Sequence, residues 1–128
     1  AIANINILRD EKIVEQVAHV TGPYLKKKFE ALIDHPLVGD AETCGLMAGL
    51  VLVKSKSPLT MFNAALGVGM VCRGHCFGNG LIMRAVGDRM IIAPPLVTTC
   101  AQIDEMMLLI IKCLDLTLTE VKSIGWLD

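Results

Sequence analysis

The sequence predicts an α+β domain, a small and mainly antiparallel sheet with helices packed on it. Three observations carry this. Apolar residues recur at helical period in two long stretches, 11–33 and 98–123. Between them lie short aliphatic runs of strand length. Two of those runs, in the segment GLIMRAVGDRMIIAPPLV at 80–97, are joined by Gly87-Asp88, a two-residue hairpin signal. Helix, strand, helix, hairpin and helix in that order make a helix-covered sheet the economical architecture.

The chain opens on AIANINILRDEKI, where Ile2, Ile5 and Leu8 already keep helical spacing with no capping residue before them. This reads as a helix entered partway along, and the expectation is a fragment of a longer protein. From Glu11 to Ile33 the stripe is Val14, Val17, Ala18, Tyr24, Leu25, Phe29 and Leu32. Gly22-Pro23 interrupts it without changing its phase, so a kinked helix is expected rather than a turn. His35 before Pro36 ends it.

CGLMAGLVLV, 44–53, reads as one buried strand, and KSKSPLTMFNAALG as a loop. VGMVCRGHCFGNG reads as a helix closed by Gly78-Asn79-Gly80. After the hairpin comes the final helix, with Thr99 as its cap. Its stripe is Ile103, Met106, Met107, Ile110, Leu114 and Leu118.

At 128 residues the chain, 1–128, is one domain. Its net charge of -1 argues against a nucleic-acid partner, and its one basic run, Lys26 to Lys28, reads as a solvated helix face. No apolar stretch reaches bilayer length, so no membrane partner is expected. A hydrophobic fraction of 53% is high for an isolated domain and implies surface buried against another domain or chain. That surface is expected on the first helix and the 44–53 strand. Five cysteines without framework spacing suit a reducing, cytoplasmic setting.

Few residues suggest chemistry. Cys72, His75 and Cys76 in CRGHC fall near one helix face, but a structural zinc site needs a fourth ligand, so no metal is expected. His19 and His35 have no nucleophile or acid pattern beside them. Asp104-Glu105 sit where a helix dipole favours acids. The eight lysines all lie in polar or helix-surface contexts, and none reads as a desolvated nucleophile.

Arg84 is the exception. With the turn at Gly87-Asp88, Val86 faces Arg89, Ala85 faces Met90 and Arg84 faces Ile91. A permanent charge thus sits inside an apolar ladder. It reads either as an edge-strand side chain reaching solvent or as a planar fork for a carboxylate.

HPLVGD, CGLMAGLVLV, CRGHCFGNGLIMRAVGDRMIIAPPLV and AQIDEMM, in this order, resemble the C-terminal part of class III aminotransferases, the omega-type, amine:pyruvate-like enzymes that use pyridoxal 5′-phosphate. The resemblance implies the small C-terminal domain of a fold-type-I enzyme, cytoplasmic and homodimeric, packed on the large domain of the same protein. It implies small-molecule amine and keto-acid substrates, with pyruvate as acceptor. In the family the pyridoxal lysine, the acid at the pyridine nitrogen and the phosphate ligands lie in the larger domain. No catalytic residue and no cofactor ligand is therefore expected here.

One residue carries over: Arg84 matches the arginine that many members swing toward a substrate carboxylate and away from apolar groups. Ornithine-type members place theirs where Ile91 stands. Glu42-Thr43 replaces the usual Arg-Gly. From the residues alone, a free-standing α+β ligand-sensing or dimerisation module accommodates the same features.

Overall fold

The computed structural model describes residues 1–127. Its elements are α1 (Ile2–Asp10), α2 (Ile13–Gln16), α3 (Gly22–Glu30), β1 (Val38–Cys44), β2 (Met47–Leu52), β3 (Ser55–Lys56), β4 (Leu59–Thr60), α4 (Val68–Gly78), β5 (Arg84–Val86), β6 (Arg89–Ile92) and α5 (Cys100–Ser123). β1, β2, β6 and β5, in that spatial order, form one antiparallel sheet, and β3 and β4 form a separate small hairpin.

The first helical stretch is kinked, and the kink has a local cause. Pro23 has no N–H to give, and the backbone before it widens into a π turn, Val17–Thr21, closed by the Gly22 N–H on the Val17 carbonyl. A Cβ at Gly22 would stand 2.5 Å from that same oxygen, so the turn needs glycine. The extra residue also rotates the stripe. Leu25, Phe29 and Leu32 are buried, whereas Val14 and Ala18, expected inside, are exposed. A second break comes at Lys12, in left-handed geometry at φ 51°, which separates α1 from α2.

The 44–53 strand needs correction. Cys44 is the last residue of β1, Gly45 turns at φ 59°, and β2 begins only at Met47. β1 itself was not expected, because GDAETC is poor in the β-branched and aromatic residues that mark strands. The 54–67 loop likewise contains the β3–β4 hairpin. The later elements match. Thr99 caps α5 in a reciprocal capping box with Gln102, and β5–β6 has the register Arg84–Ile91, Ala85–Met90, Val86–Arg89.

The helices cover one face of the sheet. Ala41, Leu50, Leu52, Met90 and Ile92 point into that layer, against Leu25 and Phe29 of α3, Cys72 and Cys76 of α4, and Ile103, Ile110 and Leu114 of α5. Burial of this apolar set, at about 25 cal/mol per Å², is the main force holding the sheet in place. α1 contributes nothing to it: it has no buried residue, and Ile2 is 77% exposed. The apolar surface expected on the first helix is there, but in β2 only Met47 is strongly exposed. No described helix is long and apolar enough to cross a membrane.

Candidate functional site

The other face of the sheet is open. Strand pairing places Arg84, Ile91, Gly49 and Glu42 in one row across the four strands, and Val86, Arg89, Val51 and Asp40 in the next outward-facing row. The charges therefore segregate. Arginines stand on β5 and β6, acids on β1, and small or apolar residues between them. Gly49 has no side chain, and a hollow of about 400 Å³ opens over it, lined by Asp40, Glu42, Met47, Val51, Arg89 and Ile91.

The hairpin that presents the arginines is anchored at its turn. Asp88 accepts the Gly69 N–H at 2.9 Å, near the start of α4, and the Asp88 carbonyl accepts the Leu52 N–H at 2.8 Å. A Cβ on Gly69 would lie 2.0 Å from the Gly87 carbonyl oxygen, so the turn rests directly on that glycine. Met83 and Met90, buried at 2% and 0% exposure, hold the hairpin's inner side. Backbone contacts thus fix the strands while Arg84 and Arg89 remain exposed. Neither makes a hydrogen bond or ion pair with a described residue. Arg84 is consequently a flexible, unpaired planar cation above an apolar strand neighbour, suited to hold a carboxylate by a bidentate bond.

The other residues singled out from sequence go elsewhere. Cys72 and Cys76 are buried, and Cys113 of α5 is buried with them. Hydrogen bonding to Cys72, together with burial, pushes the Cys76 thiol far above its ordinary value, which makes it inert. His75 turns the other way, its Nε2 2.7 Å from Glu120 Oε2. No group of described residues could hold a metal ion.

Asp104 is more than an acid at a helix start: its two carboxylate oxygens accept the Tyr24 hydroxyl at 2.9 and 2.8 Å and it pairs with Lys28. The hydrogen bond from Lys28, then that from Tyr24, holds its carboxyl below the usual range. Lys28 also lies 5.0 Å from the Tyr24 ring centre, and Lys26 pairs with Glu30 at 2.8 Å, so the basic run is only partly a solvated face.

Sequence reasoning missed Arg89, Asp40 and Glu42 as members of this face. Arg89 could have been found from the register that placed it opposite Val86, two residues from Ile91 on the same side. The acids could not, because β1 was unrecognised. No strand of the open face contains a lysine. Lys26 and Lys28 are engaged with acids on the helical side.

No family profile matches the chain. It is 57% identical over 94% of its length to the putrescine–pyruvate aminotransferase of Pseudomonas aeruginosa. It is 27% identical over 97% of its length to the chloroplastic gamma aminobutyrate transaminase 3 of Solanum lycopersicum. It covers 26% and 24% of these relatives. Among solved structures, the omega-transferase of Vibrio fluvialis JS17 superposes with a TM-score of 0.87 at 30% identity, over 93% of this chain and 28% of that one. The chain thus spans about a quarter of the length of the proteins it matches.

Proposed function

We infer the function of this chain from its family, for it is a C-terminal part of a class III aminotransferase. Residues 1–128 form the small domain, and a large domain of the same polypeptide packs against it. The complete protein, a homodimer, moves an amino group between an amine donor and a keto acid, with a diamine and pyruvate as the pair suggested by its 57%-identical relative. Pyridoxal phosphate, which the family implies, supplies the electron sink for that transfer. Its ligands lie outside this chain.

The observation that carries the site assignment is the unpaired guanidinium of Arg84 over Ile91 on the open face. A keto acid brings a carboxylate, which the fork binds. An amine donor brings an apolar or cationic group to the same place, from which the charge must withdraw. A flexible edge-strand side chain can do both. A fixed buried cation could not, because desolvation would penalise it whenever no anion was present.

A charge-assisted hydrogen-bonded pair contributes about 1.5–3 kcal/mol. In the full-length enzyme, Arg84→Ala should therefore lower kcat/KM for pyruvate by roughly 10- to 100-fold. The half-reaction with an amine lacking a carboxylate should change far less. Arg84→Lys should recover part of the loss, since it keeps the charge without the fork. Equal losses in both half-reactions, or no loss in either, would remove Arg84 from the substrate site.

A further inference from the structure

A second hollow, of about 610 Å³, lies on the solvent side of the helical layer, between α3 and α5. One wall runs from Tyr24 to Ala31, about 10 Å of helix at 1.5 Å per residue. Its other wall carries Leu108 and Ile111, three residues apart on α5 and exposed at 71% and 43%. Their neighbours on the outside of that helix, Glu105, Lys112 and Asp115, are all charged. Two large aliphatic side chains thus face water inside a concave site, with Ala31 opposite them, where burial by a ligand would be favourable.

The end of the groove away from Ala31 is polar, and its charges do not cancel. Lys28 pairs with Asp104, whose two carboxylate oxygens also accept the Tyr24 hydroxyl, so these three groups satisfy one another. Lys27 lines the same groove, is exposed, and makes no hydrogen bond or ion pair with a described residue. The groove therefore offers one spare positive charge beside an apolar floor. Its size decides what kind of occupant fits. A stable protein partner takes about 1,200 Å² or more of contact, far beyond a 10 Å groove with two aliphatic side chains, whereas small-molecule sites span about 300–1,000 Å³. We propose that the groove binds a small anionic amphiphile, an unbranched carboxylate of medium chain length, with its head on Lys27 and its tail along Ala31, Leu108 and Ile111. This inference goes beyond the aminotransferase reading and does not rest on it, since the groove shares no residue with the open face.

The test uses calorimetry on the full-length, cofactor-loaded protein with octanoate, octylamine and butyrate, all below micelle-forming concentrations. Octanoate should bind and raise the melting temperature. Octylamine, with the same tail and the opposite charge, should bind roughly 10-fold more weakly. Butyrate, four methylenes shorter, should bind roughly 10- to 100-fold more weakly. Lys27→Glu should reverse the order of octanoate and octylamine. Leu108→Ser should weaken both by roughly 3- to 10-fold. Both positions are exposed, so the melting temperature without ligand should stay close to the parent's. Arg84→Ala should leave octanoate affinity unchanged. The proposal is overturned if octanoate does not bind, if octylamine binds as tightly, or if neither Lys27→Glu nor Leu108→Ser alters octanoate affinity. Loss of octanoate binding in Arg84→Ala also overturns it, because the carboxylate would then sit on the open face.

Discussion

The seam between the first helical stretch and α5 treats charge differently from the open face of the sheet. In the seam, polar groups meet across elements: Tyr24 and Lys28 on Asp104, and His35 on Asp115 at 3.3 Å. On the open face, Arg84, Arg89 and Asp40 meet no described partner, although they lie only strands apart. Sheet geometry would let long side chains on neighbouring strands pair, and here like charges share an edge instead. The seam's charges fasten helices to each other. Arg84, Arg89 and Asp40 fasten no element to another among the described residues and present themselves on the open face.

The comparison breaks most severely if the platform under the arginines moves while they are left intact. Gly69→Ala does this. Its new Cβ would sit 2.0 Å from the Gly87 carbonyl oxygen, a backbone atom that cannot swing aside. Overpacking of this kind costs about 1–3 kcal/mol. We expect a lower melting temperature and, because the hairpin shifts, a raised KM for pyruvate in the full-length enzyme. A stable variant with unchanged KM would show that the turn's seat on α4 does not position Arg84.

This dependence also explains what the sequence could reveal. The hairpin and its register were legible because Gly87-Asp88 lies between two apolar runs, and a two-residue turn fixes every pair that follows. Arg84 stood out as the one charge inside the outgoing run. α5 was legible from its cap and unbroken stripe. The acidic edge was not, because Asp40, Ala41 and Glu42 are residue types depleted in strands, and pairing with β2 makes them one. The π turn was hidden too. Gly22-Pro23 announces a break, but how the ladder absorbs the missing N–H depends on the Gly22–Val17 contact, which is visible only in three dimensions. The seam was invisible for the same reason: Tyr24 and Asp104 are 80 residues apart.

A smaller effect should follow from loosening the seam. Tyr24→Phe removes a hydroxyl that donates to Asp104 and leaves the ring in place. Thermal stability should fall modestly, and kcat/KM for pyruvate should not change, since the open face lies on the other side of the sheet. The stability difference between variant and parent should grow smaller below about pH 4, where Asp104 takes up a proton. Its folded-state value is depressed, so its contribution is present above the ordinary 3.8 and is lost as pH falls through the folded value. A change in pyruvate kinetics would mean that seam and open face are coupled after all.

The smallest effect concerns His35, where the first helical stretch ends. Its Nδ1 accepts the Leu37 N–H at 3.2 Å while Nε2 faces Asp115, which requires the neutral ring with its proton on Nε2. Protonating Nδ1 would set two N–H groups against each other, and burial opposes the charge as well. Burial is the largest cause of its lowered proton affinity, with Lys56 adding to it, and the hydrogen bond that Nε2 donates to Asp115 offsets only part. Because the folded-state value lies below the ordinary 6.5, the unfolded chain binds the proton first. Stability is full above 6.5 and is lost as pH falls from there through the folded value. A His35→Gln variant can still accept from Leu37 and donate to Asp115, but does not titrate. Its melting temperature should fall less than the parent's between pH 7 and about pH 5. Every other titratable group is common to both proteins, so the difference between the two curves isolates His35. Parallel curves would mean that the ring accepts a proton without cost, and that Asp115, rather than burial, governs it.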